Sequence, residues 1–149
     1  MHRAIQPDAP SVAACVDAAY SPYVERIGRP PAPMLMDYVK AIGEGQVWIA
    51  EGEDHECRGV LVLIPKSTYV LIDNVAVHPK HQGEGLGRRL IAFAEVEAFR
   101  RGFTELRLYT NEKMVESIAI YKHLGWEEIG RGSEDGYKRV FMRKSLKSD

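Results

Sequence analysis

Apolar residues recur along the chain with two periods, one of two residues and one of three to four, which predicts strands interspersed with helices. Short β-branched runs at residues 46–51 and 59–64, separated by a polar segment, predict an antiparallel hairpin. A longer strand is predicted over residues 69–77. Apolar positions every three or four residues then predict a helix over 84–101 that packs on a sheet.

The same patterns, together with turn residues, predict the remaining elements. Strands are expected at 1–6, 104–109, 126–131 and 137–143, and helices at 12–20, 34–42 and 115–124. The succession of a strand, the 84–101 helix and another strand predicts one parallel crossover. The fold class is therefore α/β (α+β), a mixed and mostly antiparallel twisted sheet of six to seven strands flanked by about four helices. Residues 1–149 are expected to form a single domain.

Composition and charge argue against several classes of protein. Twenty Lys and Arg against 21 Asp and Glu give a formal net charge of -1, so nothing favours nonspecific binding of nucleic acid. The apolar runs are too short to span a bilayer, and no signal segment opens the chain. Cys15 and Cys57 are interpreted as reduced thiols, with Cys15 in a helical core. His78 and His81 lack further ligands, so no metal is predicted. We expect a cytoplasmic protein.

A glycine-rich loop carries the most informative chemistry, in the stretch LIDNVAVHPKHQGEGLGRRL. A strand ends near His78, and Gly83, Gly85 and Gly87 lead directly into a helix. Glycines let backbone N–H groups approach a ligand closely, and the helix start adds unpaired N–H donors and a partial positive charge. The loop therefore predicts an anion site suited to a pyrophosphate, with a plain tight turn as the alternative.

The spacing of this loop differs from that of two other phosphate-binding loops. A Walker loop ends in Gly-Lys-Ser/Thr, whereas Gly87 is followed by Arg88 and Arg89. A dinucleotide fingerprint needs glycine where Arg88 stands and an acidic residue about 20 residues later, where Arg107 and Leu108 lie. Triphosphate hydrolysis and dinucleotide-dependent oxidation are therefore disfavoured.

The pattern Gln-x-x-Gly-x-Gly, present as QGEGLG at residues 82–87, resembles the acetyl-CoA loop of the GNAT superfamily of N-acetyltransferases. The segment DNVAVHP at 73–79 is similar to that family's fourth strand. Asn111 and the segment IYKHLGW at 120–126 are similar to the end of its fifth strand and to its tyrosine helix. The resemblance covers the C-terminal half closely and the N-terminal half only in the order of its elements.

This resemblance implies transfer of an acetyl group from acetyl-CoA to a primary amine of a small molecule or peptide, by direct attack in a ternary complex. It implies that the backbone of Val75 and Val77 pairs with the pantetheine arm as an added strand would. Met114 departs from the family pattern, because many members carry Asn seven residues before the tyrosine. The implied cofactor-binding residues are Val75, Ala76, Val77, Gln82, Gly83, Glu84, Gly85, Leu86, Gly87, Arg88 and Asn111.

Acetyl transfer also needs a proton for the departing thiolate and a proton acceptor for the amine. The resemblance assigns the first role to Tyr121. Its phenol, near an ordinary pKa of 10, lies about 1.5 units above a thiol, so full proton transfer would be uphill by roughly 2 kcal/mol. Asp73 is the candidate base, acting through water, and a solvated acid or a plain substrate contact is its alternative. If Tyr121 is merely a packed aromatic, the same fold would serve as a non-catalytic acyl-CoA sensor.

The acceptor amine is expected to meet the proline-rich segment 21–33, which reads as an irregular loop. Tyr23 and Arg26 are its candidate substrate contacts. The arginines of this segment would suit an amine that also bears a carboxylate, although a flexible loop would equally serve a peptide or another small molecule. Exposed strand edges leave a homodimer open as a further partner.

Overall fold

The computed structural model describes residues 1–146 and contains one sheet of seven strands. The strands are β1 (His2–Arg3), β2 (Val47–Glu51), β3 (Cys57–Pro65), β4 (Val70–Val77), β5 (Glu105–Asn111), β6 (Glu127–Glu134) and β7 (Tyr137–Ser145). The helices are α1 (Ala9–Tyr20), the single turn α2 (Val24–Ile27), α3 (Tyr38–Gly43), α4 (Leu86–Arg100) and α5 (Val115–His123).

The strands lie in the order β1-β2-β3-β4-β5-β7-β6. All neighbouring strands run antiparallel except β4 and β5, which are parallel and are joined through α4. The predicted fold class and the predicted hairpin of β2 and β3 are therefore confirmed. The parallel pair is also the crossover that the sequence pattern predicts.

Helices cover both faces of the sheet, and β3 shows how the sequence sorts them. Successive side chains of a strand point to opposite faces. Val60 and Val62 lie under α1 and α3, whereas Leu61 and Leu63 lie under α4 and α5. All four are at most 3% exposed, and burying each of them contributes about 1.5–3 kcal/mol. The hydrophobic core thus has two halves, one on each side of the sheet.

The helix predicted at 34–42 begins later than expected, at Tyr38. The preceding segment is rich in proline and forms a 3-10 turn at Ala32–Leu35, because proline fixes φ and removes an N–H donor. The side chain of Asp37 then accepts a hydrogen bond from the N–H of Lys40 at 3.1 Å and caps the helix. The error lies in the boundary, and the helix itself is present.

Strand β4 carries one extra residue relative to β3. Val62 pairs with Asn74 and Leu63 pairs with Ile72, so Asp73 forms a β-bulge. The bulge reverses the alternation of side chains: Ile72 packs in the core beneath α4, whereas Asn74 contacts residues of α1 and α3. The parallel ladder with β5 ends at Ile72 as well. Beyond this residue β4 and β5 separate, and the gap between them is the centre of the site described below.

Two further sequence expectations concern the chain as a whole. Both cysteines are free, and Cys15 of α1 is buried in the core, as predicted. Across residues 1–146, no helix combines the length and the apolar character that crossing a membrane requires. Residues 147–149 lie outside the described part of the chain, and the assignment of residues 1–149 to one domain stays a prediction.

Candidate functional site

The open edge of β4 supplies the first feature of the site. The N–H of His78 donates to the carbonyl of Arg58 at 2.8 Å, which places these residues opposite each other as a hydrogen-bonded pair. Because such pairs alternate along an antiparallel ladder, the backbone groups of Val75 and Val77 point away from β3 and toward the gap. Two side chains meet them there: Tyr20 Oη lies 3.0 Å from the Val75 carbonyl, and Gln82 Nε2 lies 3.2 Å from that of Val77.

The glycine loop follows β4 and leads into α4. Gly83 and Gly85 have φ angles of +85° and +78°, in the left-handed region that side chains other than glycine rarely adopt. A Cβ at either position would have no protein atom within 4 Å, so both residues border open space. The open space beside the loop is a cleft between the edge of β4, the glycine loop and α5, and it is called the cleft from here on. With Gly85 as its N-cap, the 15-residue helix α4 begins at this cleft and directs unpaired N–H groups toward it. This arrangement suits an anionic ligand.

A half-buried histidine in the same cleft has ring nitrogens that lack hydrogen-bond partners among the described residues. Both ring nitrogens of His81 are buried without a partner anywhere in the described chain. The nearest carboxylate oxygen, of Glu84, lies 3.5 Å from Nδ1. Buried polar atoms without partners are rare, because each costs free energy comparable to a lost hydrogen bond. Together with the glycine loop and the open strand edge, His81 makes the cleft fit a ligand with phosphate and amide groups, as coenzyme A has.

The predicted cofactor-binding residues fall into three groups in the structure. Ala76 and Asn111 line a neighbouring cavity, and the side chain of Asn111 accepts a hydrogen bond from the N–H of Lys113 at 2.9 Å. Glu84 is exposed beside His81 and does not line the cleft. The roles of all these residues stay predictions. The residues that line the cleft are Val75, Val77, Gln82, Gly83, Gly85, Leu86, Gly87 and Arg88.

The neighbouring cavity occupies the gap between β4 and β5 and has a volume of about 170 Å³. Its walls come from both strands, from α5 and from residues 21–33, which are called the roof segment from here on. The wall is rich in aromatic side chains, and only Asp73 and Arg139 carry charge. The five tyrosines of the wall are Tyr20, Tyr23, Tyr109, Tyr121 and Tyr137.

Tyr121 lies where the cleft and the cavity meet. It lines both, as do Ser117 of the same helix and Val75 of β4. Its ring packs edge-on against the buried Trp126, with ring centroids 5.8 Å apart. Burial raises the pKa of Tyr121 to about 12. The phenol therefore keeps its proton at neutral pH and faces any group that bridges the two spaces.

Asp73, at the bulge, is held by a residue that the sequence interpretation missed. Tyr109 of β5 donates a hydrogen bond from its hydroxyl to Asp73 Oδ1 at 2.7 Å. Burial and the negative charge of Asp73 raise the pKa of Tyr109 above its usual range. The guanidinium of Arg139 lies 4.2 Å above the Tyr109 ring and donates to Glu134 at 2.8 Å. Asp73 is thus the one carboxylate that lines the cavity.

A buried polar network fixes the opposite side of β4. Asn74 is 3% exposed, and its amide nitrogen donates to the hydroxyl of Tyr38 at 3.0 Å. Tyr38 donates in turn to the carbonyl of Pro33 at 2.6 Å, and Tyr20 lies 2.9 Å from the Asn74 amide oxygen. The network ties β4 to the C-terminal end of α1 and to the last residue of the roof segment. It therefore fixes the position of the cavity wall.

Replacing Asn74 by Ala is expected to lower the free energy of unfolding by about 1–3 kcal/mol, because two buried tyrosine hydroxyls each lose a partner. Urea denaturation followed by circular dichroism measures the change. Asn111→Ala is the matched control, since this half-buried asparagine makes only a local turn contact and its loss should cost less than about 1 kcal/mol. Equal losses in the two variants would contradict the role given to the network.

The two predicted acceptor contacts have different surroundings. Tyr23 lines the cavity. Arg26 lies 5.2 Å from the centre of the Tyr23 ring, and its guanidinium donates to both carboxylate oxygens of Glu116, at 3.0 and 2.8 Å. Arg26 therefore ties the roof segment to α5 and is not part of the cavity wall. Its assignment as a substrate contact stays a prediction.

A second anchor of the roof segment lies at Arg29 and Pro30, on the turn between β6 and β7. Arg29 donates to the carbonyl of Asp135 at 3.0 Å and stacks on Tyr137, with its guanidinium carbon 3.9 Å from the ring centre. The hydroxyl of Tyr137 donates to the carbonyl of Pro30 at 2.6 Å. The roof segment is thus held by two anchors near its middle, one on α5 and one on the β6–β7 turn.

Several residues of the cavity were missed by the sequence interpretation, and one signal could have found Tyr109. A parallel crossover places the ends of β4 and β5 side by side, so Asp73 and Tyr109 had to be neighbours. Tyr20, Asn74 and Arg139 could not be found in this way. They lie at the end of a helix, next to a bulge and in a hairpin strand, and they approach the cavity only in the folded structure. No period along the chain records these contacts.

Comparison with known proteins adds a family match to this geometry. Residues 43–128, more than half of the chain, match the family model described as "Acetyltransferase (GNAT) domain". This range includes the open edge of β4, the glycine loop, β5 and α5. It leaves out the roof segment and β7, which provide much of the cavity wall.

Curated relatives are similar over shorter stretches. The Xenopus tropicalis protein "Probable N-acetyltransferase 14" is 26% identical over 102 residues, which cover 67% of this chain and 50% of that protein. The "[Ribosomal protein bS18]-alanine N-acetyltransferase" of Escherichia coli (strain K12) is 36% identical over 66 residues, which cover 41% of this chain and 45% of that protein. The chain thus spans about half the length of these relatives.

Solved structures share the fold over nearly the whole chain. The crystal structure of the ribosomal-protein-S18-alanine N-acetyltransferase from Escherichia coli matches with a TM-score of 0.75 at 19% identity, covering 99% of this chain and 93% of that one. The structure of PaiA N-acetyltransferase from Thermoplasma acidophilum, in complex with coenzyme A, matches with a TM-score of 0.77 at 14% identity, covering 97% of this chain and 96% of that one. At these identities the likeness establishes the fold alone.

Proposed function

Because the chain belongs to the acetyltransferase (GNAT) family, we propose that it transfers an acetyl group from acetyl-CoA to a primary amine by direct attack in a ternary complex. One observation carries this proposal: the cleft beside the glycine loop and the neighbouring cavity with its five tyrosines meet at the side chain of Tyr121. Such an arrangement lets two substrates bind at once with their reacting groups side by side. Coenzyme A in the related PaiA structure supports the choice of cosubstrate.

The cleft is suited to hold the long cosubstrate along its length. N–H groups at the start of α4 and in the glycine loop would bind the pyrophosphate, with His81 close by. The outward backbone groups of Val75 and Val77 would pair with the pantetheine amides, as an added strand does. Acetyl-CoA supplies the reactive thioester, and the N–H of Val75 is the candidate donor to its carbonyl oxygen.

Tyr121 acts in this proposal as a hydrogen-bond donor to the sulfur. With a pKa of about 12, it lies about 3.5 units above an ordinary thiol, so complete proton transfer would be uphill by roughly 5 kcal/mol. This free-energy difference is larger than the roughly 2 kcal/mol expected for an unperturbed phenol. A phenol that keeps its proton still stabilises charge that develops on the sulfur, because hydrogen bonds to ionised acceptors are the strong ones.

Asp73 is the proposed acceptor of the amine proton. It lines the cavity, and its Oδ1 already accepts the hydrogen bond of Tyr109, which leaves Oδ2 for the substrate or for a bridging water. The Tyr109 contact also fixes the rotamer of the carboxylate. Asp73 thus combines attraction of a protonated amine with removal of its proton.

The first experiment combines titration calorimetry of acetyl-CoA with a screen of primary amines, in which released coenzyme A thiol is measured. Micromolar binding together with amine-dependent thiol release is the expected result. Binding without thiol release from any amine would favour the alternative, an acyl-CoA sensor. Absence of binding would overturn the proposal, since the glycine loop would then be only a structural turn.

The pH dependence of the reaction should reflect the raised pKa of Tyr121. We expect kcat/KM to rise with pH as the free amine becomes available, and to show no descending limb up to about pH 11, because a phenol of pKa about 12 stays protonated there. An ordinary phenol would begin to lose activity near pH 10. Rate profiles from pH 7 to 10.5 test this. A descending limb below pH 10 that is absent from Tyr121→Phe would contradict it.

A further inference from the structure

The charges around the acceptor cavity restrict what it can bind. Only Asp73 and Arg139 carry charge among the residues that line it. Both contact Tyr109, since Asp73 accepts the hydrogen bond of its hydroxyl and Arg139 stacks on the face of its ring. The charges of an acceptor must therefore complement one carboxylate and one guanidinium, unless a neighbouring residue already neutralises one of the two.

Arg139 is neutralised by its own surroundings. Its Nη1 lies 2.8 Å from a carboxylate oxygen of Glu134, and its side chain is only 11% exposed. One face of the guanidinium is covered by Tyr109 at 4.2 Å, and Tyr137 lies 5.7 Å away. A carboxylate of an acceptor would have to compete with Glu134 for a largely enclosed cation. Within residues 1–146, Asp73 has no such cation, so the described lining presents one uncompensated negative charge.

The arginines of the roof segment do not change this balance. Arg26 is bonded to Glu116 and Arg29 to the carbonyl of Asp135, and neither lines the cavity. The sequence interpretation used these arginines to favour an amine with a carboxylate, and in the structure they hold the roof segment instead. A carboxylate inside the cavity would therefore lose its hydration without gaining a free cation.

The size of the cavity and its roof argue for a compact acceptor. A volume of about 170 Å³ is below the roughly 300–1,000 Å³ that is typical of sites for drug-sized ligands. The roof segment is held near its middle, by Arg26 on Glu116 and by Arg29 on the turn at Asp135. A peptide acceptor would need a path for its chain beneath this segment. The five tyrosine rings of the wall favour an apolar body that carries a cationic amine.

We infer that the acceptor is a compact primary amine with an aromatic or other apolar body and without a carboxylate, oriented by Asp73. This inference rests on the proposed acetyl transfer and names its substrate class. The amine nitrogen lies toward Asp73 and the thioester, and the body lies among Tyr20, Tyr23 and Tyr137. The bound ammonium first gives one proton to Asp73, which passes it to solvent. The nitrogen of the free amine then forms a bond to the acetyl carbon, the carbon–sulfur bond breaks, and the nitrogen loses its second proton toward Asp73 while the thiolate gains one from solvent.

The test uses pairs of acceptors that differ only in a carboxylate. Tyramine is compared with tyrosine, and 2-phenylethylamine with phenylalanine, with an alanine-initiated pentapeptide as a third class. The readout is kcat/KM from released thiol at saturating acetyl-CoA. The amine of each pair is expected to exceed its amino acid by about 100-fold, because the carboxylate has no partner in the cavity. The pentapeptide is expected to react more slowly than either amine.

Three variants separate a charge effect from a structural one. Glu134→Gln frees Arg139 and should raise kcat/KM for tyrosine relative to tyramine by about tenfold. Glu128→Gln, on the same strand and paired with Arg131, should leave that ratio unchanged. Asp73→Asn should slow the reaction and should also bring the ratio of kcat/KM for tyramine to that for tyrosine closer to one. A purely structural effect would slow both acceptors equally.

The outcomes distinguish this inference from the function on which it rests. Equal or faster reaction of tyrosine or of the pentapeptide overturns the inference and leaves the acetyltransferase intact. Binding of acetyl-CoA with no turnover of any amine in the panel overturns the inference as well. Failure of acetyl-CoA to bind at all overturns the proposed function itself.

Discussion

Gly85→Trp is expected to weaken binding of acetyl-CoA by at least about 100-fold, since the indole would occupy the space in which the loop is proposed to hold the pyrophosphate. Gly85 combines a φ of +78° with open space at its Cβ, and it is the N-cap of α4. The substitution therefore strains the backbone and fills the cleft together. Titration calorimetry with acetyl-CoA measures the loss.

Gly102→Trp is the control that separates strain from occlusion. Gly102 has a φ of +89° and likewise no protein atom within 4 Å of a built Cβ, but it follows the opposite end of α4. Both variants should lose a similar amount of thermal stability, because both force a side chain into the left-handed region. Only the Gly85 variant should lose binding. Equal loss of acetyl-CoA binding in both variants would show that the loss results from damage to the fold. The proposed role of the glycine loop in binding the pyrophosphate would then be contradicted.

Tyr121→Phe is expected to lower kcat by about 100-fold while the affinity for acetyl-CoA changes by less than about twofold. The ring and its edge-on contact with Trp126 remain, so the fold should be unaffected. Only the hydroxyl hydrogen bond to the departing sulfur is removed, and that interaction strengthens as charge develops on the sulfur. Steady-state kinetics with released thiol as the readout, and calorimetry with acetyl-CoA, measure the two quantities.

Tyr69→Phe serves as the matched control for this change. Tyr69 stacks with Arg107, whose guanidinium carbon lies 4.2 Å from the ring centre, and it lines neither the cleft nor the cavity. Its kcat should equal that of the wild type. If Tyr121→Phe retained full activity as well, the tyrosine would be only a packed aromatic, which is the alternative that the sequence leaves open.

The sequence predicted the elements of this fold well where one period dominated. The alternation in β3 and the helical spacing in α4 each arise from local burial, so each can be recognised along the chain. The glycine loop could be recognised equally well, because its chemistry depends on residue type at fixed spacing. These features account for the fold class and for the family resemblance, and both are confirmed.

The acceptor cavity could not be predicted in the same way. Its shape depends on the bulge at Asp73, which a sequence pattern does not mark, and on contacts between residues far apart in the chain. Tyr137 bonds to Pro30 across more than a hundred positions, and Tyr20 approaches Asn74 across more than fifty. The role of Arg26 was inferred from charge alone, and its partner Glu116 could be identified only in three dimensions.

The two anchors of the roof segment differ in strength, and this difference bears on how substrates enter and leave. Arg26 and Glu116 form a surface pair with side chains 44% and 56% exposed, worth at most about 1 kcal/mol. The other anchor combines a stacked guanidinium with two hydrogen bonds. Gly28, with a φ of +90°, lies between them and can absorb a change in backbone direction. We therefore expect α2 to swing open on the α5 side while residues 29–33 stay in place. If this opening limits the turnover of fast substrates, kcat should fall as solvent viscosity rises. It should increase with added salt, because salt screens the Arg26–Glu116 pair.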